Sequence, residues 1–507
     1  MSVNEAQHLD RPTNRGRKAE LFVIGAGSAG LTAAVEAGRL GFHAMVVEKN
    51  SRVGGLARTE SYKEFLFDLG GHRFFTKLDW VDSWWRDMIG DAFLRRPRLS
   101  RIFYSGTFFS YPPSFFNAVS GLGPIEGLRI ALSYLKAQIF PTRPVVTFEN
   151  WVSNNFGKRL FSIFFESYTE KVWGISCKEL RAEWAAQRIK NMSLKTILKS
   201  MLVSTRREVT SLIEEFEYPR QGPGMMWRAA AERVEVQGGQ VFLQTELMRL
   251  AHAGGRVLHA EVRNGERVRS IKADAFISTL PLPELIAKLE PAPPADVLAA
   301  AAQLKFRDFL TVCLIVDTPF LFPDNWIYVH EPKVKVARIQ NFKNWSPHMV
   351  PDQSKTSLGL EYFCSRSDAV WNAPDEELVK LATNELVTIG LVRDAATIVD
   401  GCVFRVANAY PVYDEEYADA LNTIRRYIET FENLRSAGRN GLHRYNNQDH
   451  SMLAGRLAAR ELLLSEPADL WNLNTEEDYH ERKVALQDRV PSEPRLDTAS
   501  TGVIERP

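Results

Sequence analysis

The stretch VIGAGSAGLTAAVEAGRLGFHAMVVEKN, residues Val23–Asn50, decides the fold. The apolar run Leu21–Ile24 leads into the glycine-rich turn Gly25–Gly30, and Leu31–Leu40 then alternates apolar and small residues at helical spacing. A second apolar run ends at Glu48, 18 residues after the last glycine of the turn. This order predicts a strand, a tight turn, a helix and a second strand, the opening unit of an α/β domain of the Rossmann type.

Each glycine of the turn has its own physical role. Gly25 permits the tight bend, Gly27 lets the backbone approach a pyrophosphate, and Gly30 lets the helix pack closely against the strand. The amides at the start of the helix would then face the anion, and the carboxylate of Glu48 would accept hydrogen bonds from a ribose hydroxyl. The spacing therefore predicts a dinucleotide site, and by itself it leaves open whether the dinucleotide is FAD or a nicotinamide.

The composition is that of an ordinary globular protein. Of the 507 residues, 45% are apolar and 25% are charged, and 63 basic residues stand against 62 acidic ones. A net charge of +1 gives no general electrostatic case for a nucleic-acid or membrane partner, so any charge-driven binding must be local. The first twenty residues lack the apolar core of a signal peptide, and no apolar run is long enough to span a bilayer.

The cysteines are scattered along the chain. Cys177, Cys313, Cys364 and Cys402 include no Cys-x-x-Cys pair. This pattern argues against a disulfide framework and against a structural zinc site, and no metal site is predicted. We therefore expect a cytoplasmic protein.

The residues after Glu48 carry a more specific resemblance. Lys49–Phe75 reads KNSRVGGLARTESYKEFLFDLGGHRFF. This segment resembles the signature of FAD enzymes in the superfamily of protoporphyrinogen oxidase, the amine oxidases and UDP-galactopyranose mutase. The resemblance implies FAD as the cofactor, with Gly54 and Gly55 beside its phosphates and His72 beside the isoalloxazine ring.

Later segments resemble the other cofactor-binding pieces of this superfamily. Tyr218–Leu247 predicts a turn, a helix and a strand that would reach the adenine, and Ala273–Ile286 predicts a strand closed by a Pro-Leu-Pro turn. Asn433–Leu463 predicts a strand, a glycine turn and an amphipathic helix from Met452 onward that would contact the flavin. The FAD contacts expected from the spacing and the resemblance together are Gly25, Gly27, Ser28, Ala29, Gly30, Glu48, Lys49, Gly55, Leu56, Ala57, Arg58, His72, Leu247, Gly438, Asp449 and Met452.

The pieces imply a Rossmann-type FAD-binding domain assembled from separated segments, with a mixed α+β substrate domain inserted between them. The expected cofactor segments are residues 20–76, 218–293 and 400–466. The expected insertions are the helix-rich residues 77–217 and the strand-rich residues 294–399. Residues 1–19 and 467–507 are predicted to be flexible tails.

Two segments that resemble the UDP-galactopyranose mutases supply candidates on the substrate side. Ser167–Ile189 contains the mutase pattern Tyr-Thr-x-Lys-x-Trp-Gly, which points to Trp173 and Arg188. Lys305–Val312 resembles a mutase segment whose arginine faces a diphosphate, a role that Arg307 would take. The alternatives are that Trp173 belongs to the core, that Arg188 lies on a solvated helix face and that Arg307 is an exposed edge residue.

A third segment, Gly438–His450, resembles the mutase run Gly-Arg-x-x-x-Tyr-Arg-Tyr and implies that Arg439 and Tyr445 hold a diphosphate. These residue types suit that ligand, because a guanidinium offers bidentate, permanently charged donors and a phenol adds a rigid one. The chain departs from the run at His443 and Asn447, and these departures favour an oxidoreductase over a mutase. The catalytic candidates are His72, Arg307 and Tyr445.

The resemblance allows two enzymatic functions on a small-molecule substrate. One is an isomerase similar to UDP-galactopyranose mutase, which acts on a nucleotide sugar through reduced flavin without net electron transfer. The other is an oxidoreductase similar to protoporphyrinogen oxidase or the amine oxidases, which removes a hydride from an organic substrate. A third possibility, a flavin-free protein similar to the Rab GDP-dissociation inhibitors, conflicts with the intact glycine turns.

Overall fold

The glycine-rich stretch folds as the sequence predicts. In the computed structural model, which describes residues 19–111, 121–182 and 215–473, β1 (Ala19–Ile24), α1 (Ser28–Arg39) and β2 (Ala44–Val47) follow one another. Helix α1 begins three residues before its predicted start, because the last residues of the glycine turn already form its first turn. The α/β fold class is confirmed.

The remaining elements follow in chain order. The strands are β3 (Thr59–Tyr62), β4 (Phe65–Asp68), β5 (Phe93–Pro97), β6 (Ser100–Tyr104), β7 (Thr107–Ser110), β8 (Glu215–Pro219), β9 (Gln240–Phe242), β10 (Thr245–Ala253), β11 (Arg256–Asn264), β12 (Arg267–Ile271), β13 (Ala273–Ser278), β14 (Leu289–Glu290), β15 (Phe306–Val316), β16 (Trp326–Val329), β17 (Arg338–Asn341), β18 (Thr356–Cys364), β19 (Ile398–Pro411) and β20 (Leu434–Ser436). The α-helices are α2 (Asp79–Ile89), α3 (Pro124–Ile139), α4 (Phe148–Phe156), α5 (Lys158–Phe161), α6 (Ser167–Trp173), α7 (Gly224–Val236), α8 (Leu282–Ala287), α9 (Ala295–Gln303), α10 (Phe342–Trp345), α11 (Ala369–Asn372), α12 (Asp375–Thr388), α13 (Tyr417–Ile428), α14 (Gly438–Gly441) and α15 (Gln448–Leu464).

Strand β1 lies at the centre of a five-stranded parallel sheet in the order β20-β13-β1-β2-β9. Val23 is in register with Val46 of β2 and with Ile277 of β13, and all three side chains are fully buried. The carboxyl end of β1 therefore opens into the glycine turn in the middle of the sheet, where open α/β sheets bind their ligands.

A seven-stranded sheet in the order β19-β15-β18-β17-β16-β6-β7 forms the second large layer. Helices α3 to α6 and the π-helical turn Ser162–Glu166 pack over it, with Phe148, Phe161 and Phe164 in the shared apolar cluster. This cluster also reaches Leu56 from the cofactor side. The second layer therefore packs directly against the glycine-turn region.

Helix α1, near the amino-terminal end of the described chain, packs very closely against α15, near its carboxyl-terminal end. A Cβ built on Gly455 of α15 would lie 2.0 Å from the carbonyl oxygen of Ala29, so no larger residue fits there. The segment predicted to contact the flavin thereby lies against the segment predicted to hold the dinucleotide.

Two predicted boundaries were wrong. The Pro-Leu-Pro sequence does not form a simple turn, because Leu282 begins α8 and proline is well tolerated in a first helical turn. The C-terminal helix begins at Gln448, four residues before the predicted Met452, since Asn447 has extended dihedral angles and stands just before the helix.

The described residues contain neither a membrane-spanning helix nor a cluster of metal-ligating side chains. Within residues 19–111, 121–182 and 215–473, no helix combines the length and the apolarity needed to cross a membrane. The same part of the chain holds no group of three or more His, Cys, Asp or Glu side chains arranged to bind a metal ion.

A buried carboxyl group fastens the β3-β4 hairpin to the start of α7. Asp68 accepts hydrogen bonds from the hydroxyls of Thr59, at 2.8 Å, and Tyr218, while the Thr59 oxygen accepts from the Gly224 amide at 3.0 Å. Burial raises the pKa of Asp68 to about 7, against the opposing effect of the two hydroxyl donors. Between about pH 4 and about pH 7, Asp68 therefore retains a proton in the folded protein that it releases in the unfolded chain.

This carboxyl group should make stability depend on pH. Because the pKa of Asp68 is raised on folding, its contribution is fully present below the unfolded pKa of about 4 and is lost as the pH rises through about 7. We expect Asp68→Asn to flatten this part of the profile. Urea unfolding of both proteins between about pH 5 and about pH 8 measures the effect, and identical slopes would contradict it.

Candidate functional site

The glycine turn has the shape of an anion cradle. A Cβ on Gly30 would lie 2.0 Å from the Gly25 carbonyl oxygen, so close packing requires this glycine. At Gly27, by contrast, the nearest atom to such a Cβ is the Gly55 Cα at 3.7 Å, which leaves one side of the turn open. No side chain among the described residues caps the start of α1, so the first amides of this helix can receive a phosphate.

The acidic residue at the end of β2 lies beside this cradle. Glu48 is buried, and its Oε2 accepts a hydrogen bond of 2.9 Å from the Ala26 amide within the turn. Its Oε1 accepts from the amide of Asn50 at 3.0 Å. The carboxylate is thereby held where a ribose hydroxyl could reach it, whereas the neighbouring Lys49 is exposed.

The second glycine pair packs directly on the first turn. The Gly54 amide donates to the Ala26 carbonyl at 2.8 Å, and a Cβ on Gly55 would lie 3.0 Å from the Gly27 Cα. Both glycines of the pair have positive φ angles, 106° and 56°, which favour glycine. Arg58 braces this bend by donating to the Gly55 carbonyl at 3.0 Å. Leu56 and Ala57 form a short 3-10 turn inside it.

The C-terminal segment closes the other side of the cradle. Gly438, at a φ of 84°, approaches Ala29 so closely that a Cβ on it would lie 3.0 Å from the Ala29 Cβ. Asp449, at the start of α15, is buried and accepts a hydrogen bond of 3.0 Å from Thr76. Met452 is also fully buried. The two regions predicted to share one cofactor are therefore in contact.

Backbone hydrogen bonding holds the start of β10, the segment predicted to reach the adenine, next to Glu48. The amide of Thr245, which begins β10, donates to the Glu48 carbonyl at 2.8 Å. Leu247 follows two residues later, is buried, and accepts from the Lys288 side chain at 2.6 Å through its carbonyl oxygen. The residues around Glu48 and Leu247 could therefore hold the adenosine half of FAD, and the glycine turns could hold its pyrophosphate.

His72 lies close to two arginines. Burial, with the positive charges of Arg439 and Arg338, lowers the pKa of His72 to about 4, so its ring is neutral at neutral pH. Its Nε2 lies 2.9 Å from the Leu69 carbonyl oxygen and donates to it in the neutral ring. A further backbone hydrogen bond joins the ring to Leu56, which ties it to the second glycine bend.

Arg439 is held against two stacked tyrosines. Its guanidinium carbon lies 4.6 Å from the ring centroid of Tyr445 and 5.5 Å from that of Tyr410, and the two tyrosine rings lie 5.5 Å apart at an angle of 19°. Among the described residues, its Nε donates to the Asn446 carbonyl at 2.9 Å and its Nη1 donates to the Ala409 carbonyl at 3.3 Å, so Nη2 and the second proton of Nη1 remain for a ligand. Burial raises the pKa of Tyr410 to about 12, so this phenol stays a donor. We call these three residues the Arg439 stack.

A buried ion pair beside the stack was missed by sequence reasoning. Arg338 on β17 and Glu361 on β18 face each other in register, and the Arg338 Nε donates to the carboxylate at 2.8 Å. Glu361 is fully buried and also accepts from Gln340 at 2.9 Å. The sequence does contain a signal for this pair, since Glu361 lies within the apolar run TSLGLEYF. A carboxylate buried in such a run requires a cation or several hydrogen-bond donors.

Two of the remaining substrate-side candidates lie near the stack. Trp173 is buried, and its ring centroid lies 6.2 Å from that of Tyr410. The guanidinium of Arg307 donates to the Ser365 hydroxyl at 2.6 Å and to the Phe363 carbonyl at 3.2 Å. Arg307 is thus engaged by protein acceptors, and it is a buried residue rather than an exposed edge residue. Arg188 lies outside the described residues.

The two departures from the mutase run have different surroundings. His443 is fully buried at a φ of 45°, and its Nε2 lies 3.3 Å from the Val412 carbonyl oxygen. Burial lowers the pKa of His443 to about 4, so the ring is neutral and belongs to the core. Asn447 is exposed just before α15. The His443 ring therefore packs within the core, where it contacts the rings of Phe306 and Tyr413.

Comparison with known proteins agrees with this fold and its glycine cradle. The model of the flavin-containing amine oxidoreductase family matches residues 28–463. The chain belongs to this family, and it is an FAD-dependent enzyme.

Solved structures with the same fold include enzymes of different activities. A reduced UDP-galactopyranose mutase superposes with a TM-score of 0.78 at 22% identity, covering 91% of this chain and 98% of the mutase. A protein proposed to be a protoporphyrinogen oxidase, from Exiguobacterium sp. 255-15, gives a TM-score of 0.67 at 17% identity, with 89% and 100% covered. A putrescine oxidase variant gives 0.61 at 16% identity, with 89% and 99% covered. At these identities the likeness defines the fold and leaves the substrate open.

Proposed function

We propose that this FAD-dependent enzyme acts on a nucleotide-linked sugar through reduced flavin, as an isomerase similar to UDP-galactopyranose mutase. The observation that carries the proposal is the Arg439 stack, in which the guanidinium carbon lies 4.6 Å from the ring centroid of Tyr445 and its charge acts on His72. A cation held in this way, with phenol donors beside it, suits the diphosphate of such a substrate.

The surrounding charges support an anionic ligand. Arg338 lies near both His72 and Tyr410, and its partner Glu361 is fully buried behind it. His72 is neutral, so it adds no charge of its own, and its hydrogen bond to the Leu69 carbonyl fixes its orientation. Bound FAD, in its reduced form, would supply the reactive centre without net transfer of electrons. In this proposal the chain orients the sugar against the cofactor, and Arg439 anchors the diphosphate.

One observation favours a second candidate, an oxidoreductase that removes a hydride from an organic substrate. Arg307, which the mutase resemblance assigns to the diphosphate, donates instead to Ser365, Phe363 and, at 3.4 Å, the Val172 carbonyl. A diphosphate would have to compete with these acceptors. Substrate-dependent bleaching of the oxidised flavin would favour this candidate.

Arg439→Ala should weaken the binding of UDP to the FAD-loaded protein. Loss of a charge-assisted, bidentate donor costs about 1.5–3 kcal/mol, or roughly tenfold to a hundredfold in Kd. Arg439→Lys keeps the positive charge but lacks the planar guanidinium. Its affinity for UDP should therefore lie between that of Arg439→Ala and that of the unaltered protein. Isothermal titration calorimetry with UDP measures these affinities, and the visible flavin spectrum shows that FAD is retained.

The matched control is Arg256→Ala, which removes a half-exposed arginine that is paired with Glu432 away from the stack. This variant should bind UDP like the unaltered protein. Equal UDP affinity in the Arg439→Ala and Arg256→Ala proteins would contradict the role given to the stack.

A further inference from the structure

Helix α3 presents a stripe of large apolar side chains to the outside of the molecule. Ile125, Leu128, Leu132, Leu135 and Ile139 recur at intervals of three and four residues, so they share one face of the helix. Each of these side chains is between 55% and 71% exposed. We call these five residues the α3 face.

The opposite side of α3 is fixed against the protein. Gly127 and Ile130 are buried, and the hydroxyl of Ser133 accepts a hydrogen bond of 3.0 Å from the Arg159 amide. A Cβ on Gly157 would lie 2.7 Å from the Tyr134 amide nitrogen, so α3 packs very closely on the loop between α4 and α5. The outward direction of the α3 face is therefore set by tight packing.

The apolar surface continues beyond the end of the helix. Phe140 is 74% exposed, and Val145 and Val146 are exposed in the loop that leads to α4. Single exposed apolar residues are common on soluble proteins, but a continuous patch of this kind marks a surface that binds something.

The charges around the patch are mainly basic. Residues 121–165 contain five basic residues and two acidic ones, a net charge of +3 within a chain whose total is +1. Arg129 and Lys158 are 65% and 77% exposed, whereas their partners Glu126 and Glu149 are only 15% and 14% exposed. Lys136 and Arg143 are also exposed. The outer rim of the patch is therefore positive.

We propose that the α3 face docks on an anionic lipid surface. A helix fixed along the protein surface, apolar outward and bordered by exposed lysine and arginine, matches the way an amphipathic helix lies in the headgroup region of a membrane. The basic rim would meet acidic headgroups while the α3 face enters the acyl boundary. Ile130 of α3 belongs to the same apolar cluster as Trp173 and Tyr445. Docking would therefore bring the membrane to the substrate side of the enzyme.

Vesicle co-sedimentation of the full-length, FAD-loaded protein tests this proposal. We expect binding to vesicles of equal parts phosphatidylcholine and phosphatidylglycerol, and binding about tenfold weaker to pure phosphatidylcholine. The double variant Leu132→Glu/Leu135→Glu should lose at least about tenfold in partitioning to the mixed vesicles. The control Leu258→Glu/Val268→Glu replaces two similarly exposed apolar residues on β11 and β12, and should bind normally.

The flavin spectrum and the thermal midpoint of each variant report whether it is folded. Equal vesicle binding by the two double variants, or no binding by the unaltered protein, would overturn the proposal. It would also be overturned if the α3 variant bound vesicles normally but dissociated a dimer in sedimentation equilibrium, since the face would then meet a second copy. A large fall in thermal midpoint with unchanged vesicle binding would instead assign the face to an internal contact of the chain.

Discussion

Gly27→Ala is expected to weaken FAD binding by about tenfold to a hundredfold while leaving the FAD-free protein folded and stable. Among the described residues other than its chain neighbours, the atom nearest to the added methyl group would be the Gly55 Cα at 3.7 Å, which is an ordinary contact. Gly27 also has a φ of −82°, which alanine adopts freely. The methyl group would instead occupy the open side of the turn, where the pyrophosphate must approach the backbone.

Gly30→Ala provides the contrasting variant. Its methyl group would lie 2.0 Å from the Gly25 carbonyl oxygen, so the turn itself must shift, at a cost of about 1–3 kcal/mol in the free energy of unfolding. Fluorescence titration with FAD and urea unfolding of the FAD-free proteins separate the two effects. Unchanged FAD affinity in Gly27→Ala would contradict the cradle, because this variant leaves the protein packing intact.

Glu361→Gln is expected to destabilise the protein by about 3 kcal/mol, because it leaves the Arg338 guanidinium, whose side chain is only 18% exposed, without its counter-charge. Glutamine preserves the size of the side chain and one acceptor oxygen, so the effect reports the charge rather than a cavity. The carboxylate is fully buried, so water cannot replace its interaction with Arg338.

The control is Asp82→Asn on α2, where the ion pair with Arg86 is about half exposed on both sides and should be worth only a few tenths of a kcal/mol. Replacing both buried partners, as Arg338→Met/Glu361→Gln, should restore part of the lost stability. Urea unfolding of the three variants measures these differences. A cost for Glu361→Gln as small as that of Asp82→Asn would show that Arg338 does not depend on this partner.

The cofactor half of the fold was predictable because its signals are local. A strand, a glycine turn and a helix within Val23–Asn50 are specified by neighbouring residues, and the structure confirms them in order. The second glycine bend and Gly438 came from the family resemblance, and both lie against the first turn. Helix boundaries were less accurate, as at Gln448, because the pattern of apolar residues does not fix the residue at which the backbone changes from extended to helical.

The substrate side depends on contacts between distant residues, and sequence alone did not supply these. Arg338 and Glu361 meet only through the register of β17 and β18, and Tyr410 reaches Tyr445 from the end of β19. Motif matching identified Arg307 but could not show that Ser365 and Phe363 accept its hydrogen bonds. The structure brings Arg439 close to Tyr445 and to His72. The roles of these residues in binding and catalysis are predictions.

In the proposed function, reduced FAD in this cradle serves the isomerisation of a nucleotide sugar. The most direct test is anaerobic incubation of the dithionite-reduced, FAD-loaded protein with UDP-galactopyranose, followed by chromatography of the product and by the flavin spectrum. We predict a ring-isomerised UDP-sugar and a flavin that stays reduced throughout. Absence of this product, together with stoichiometric bleaching of the oxidised flavin by an organic hydride donor, would contradict the claim.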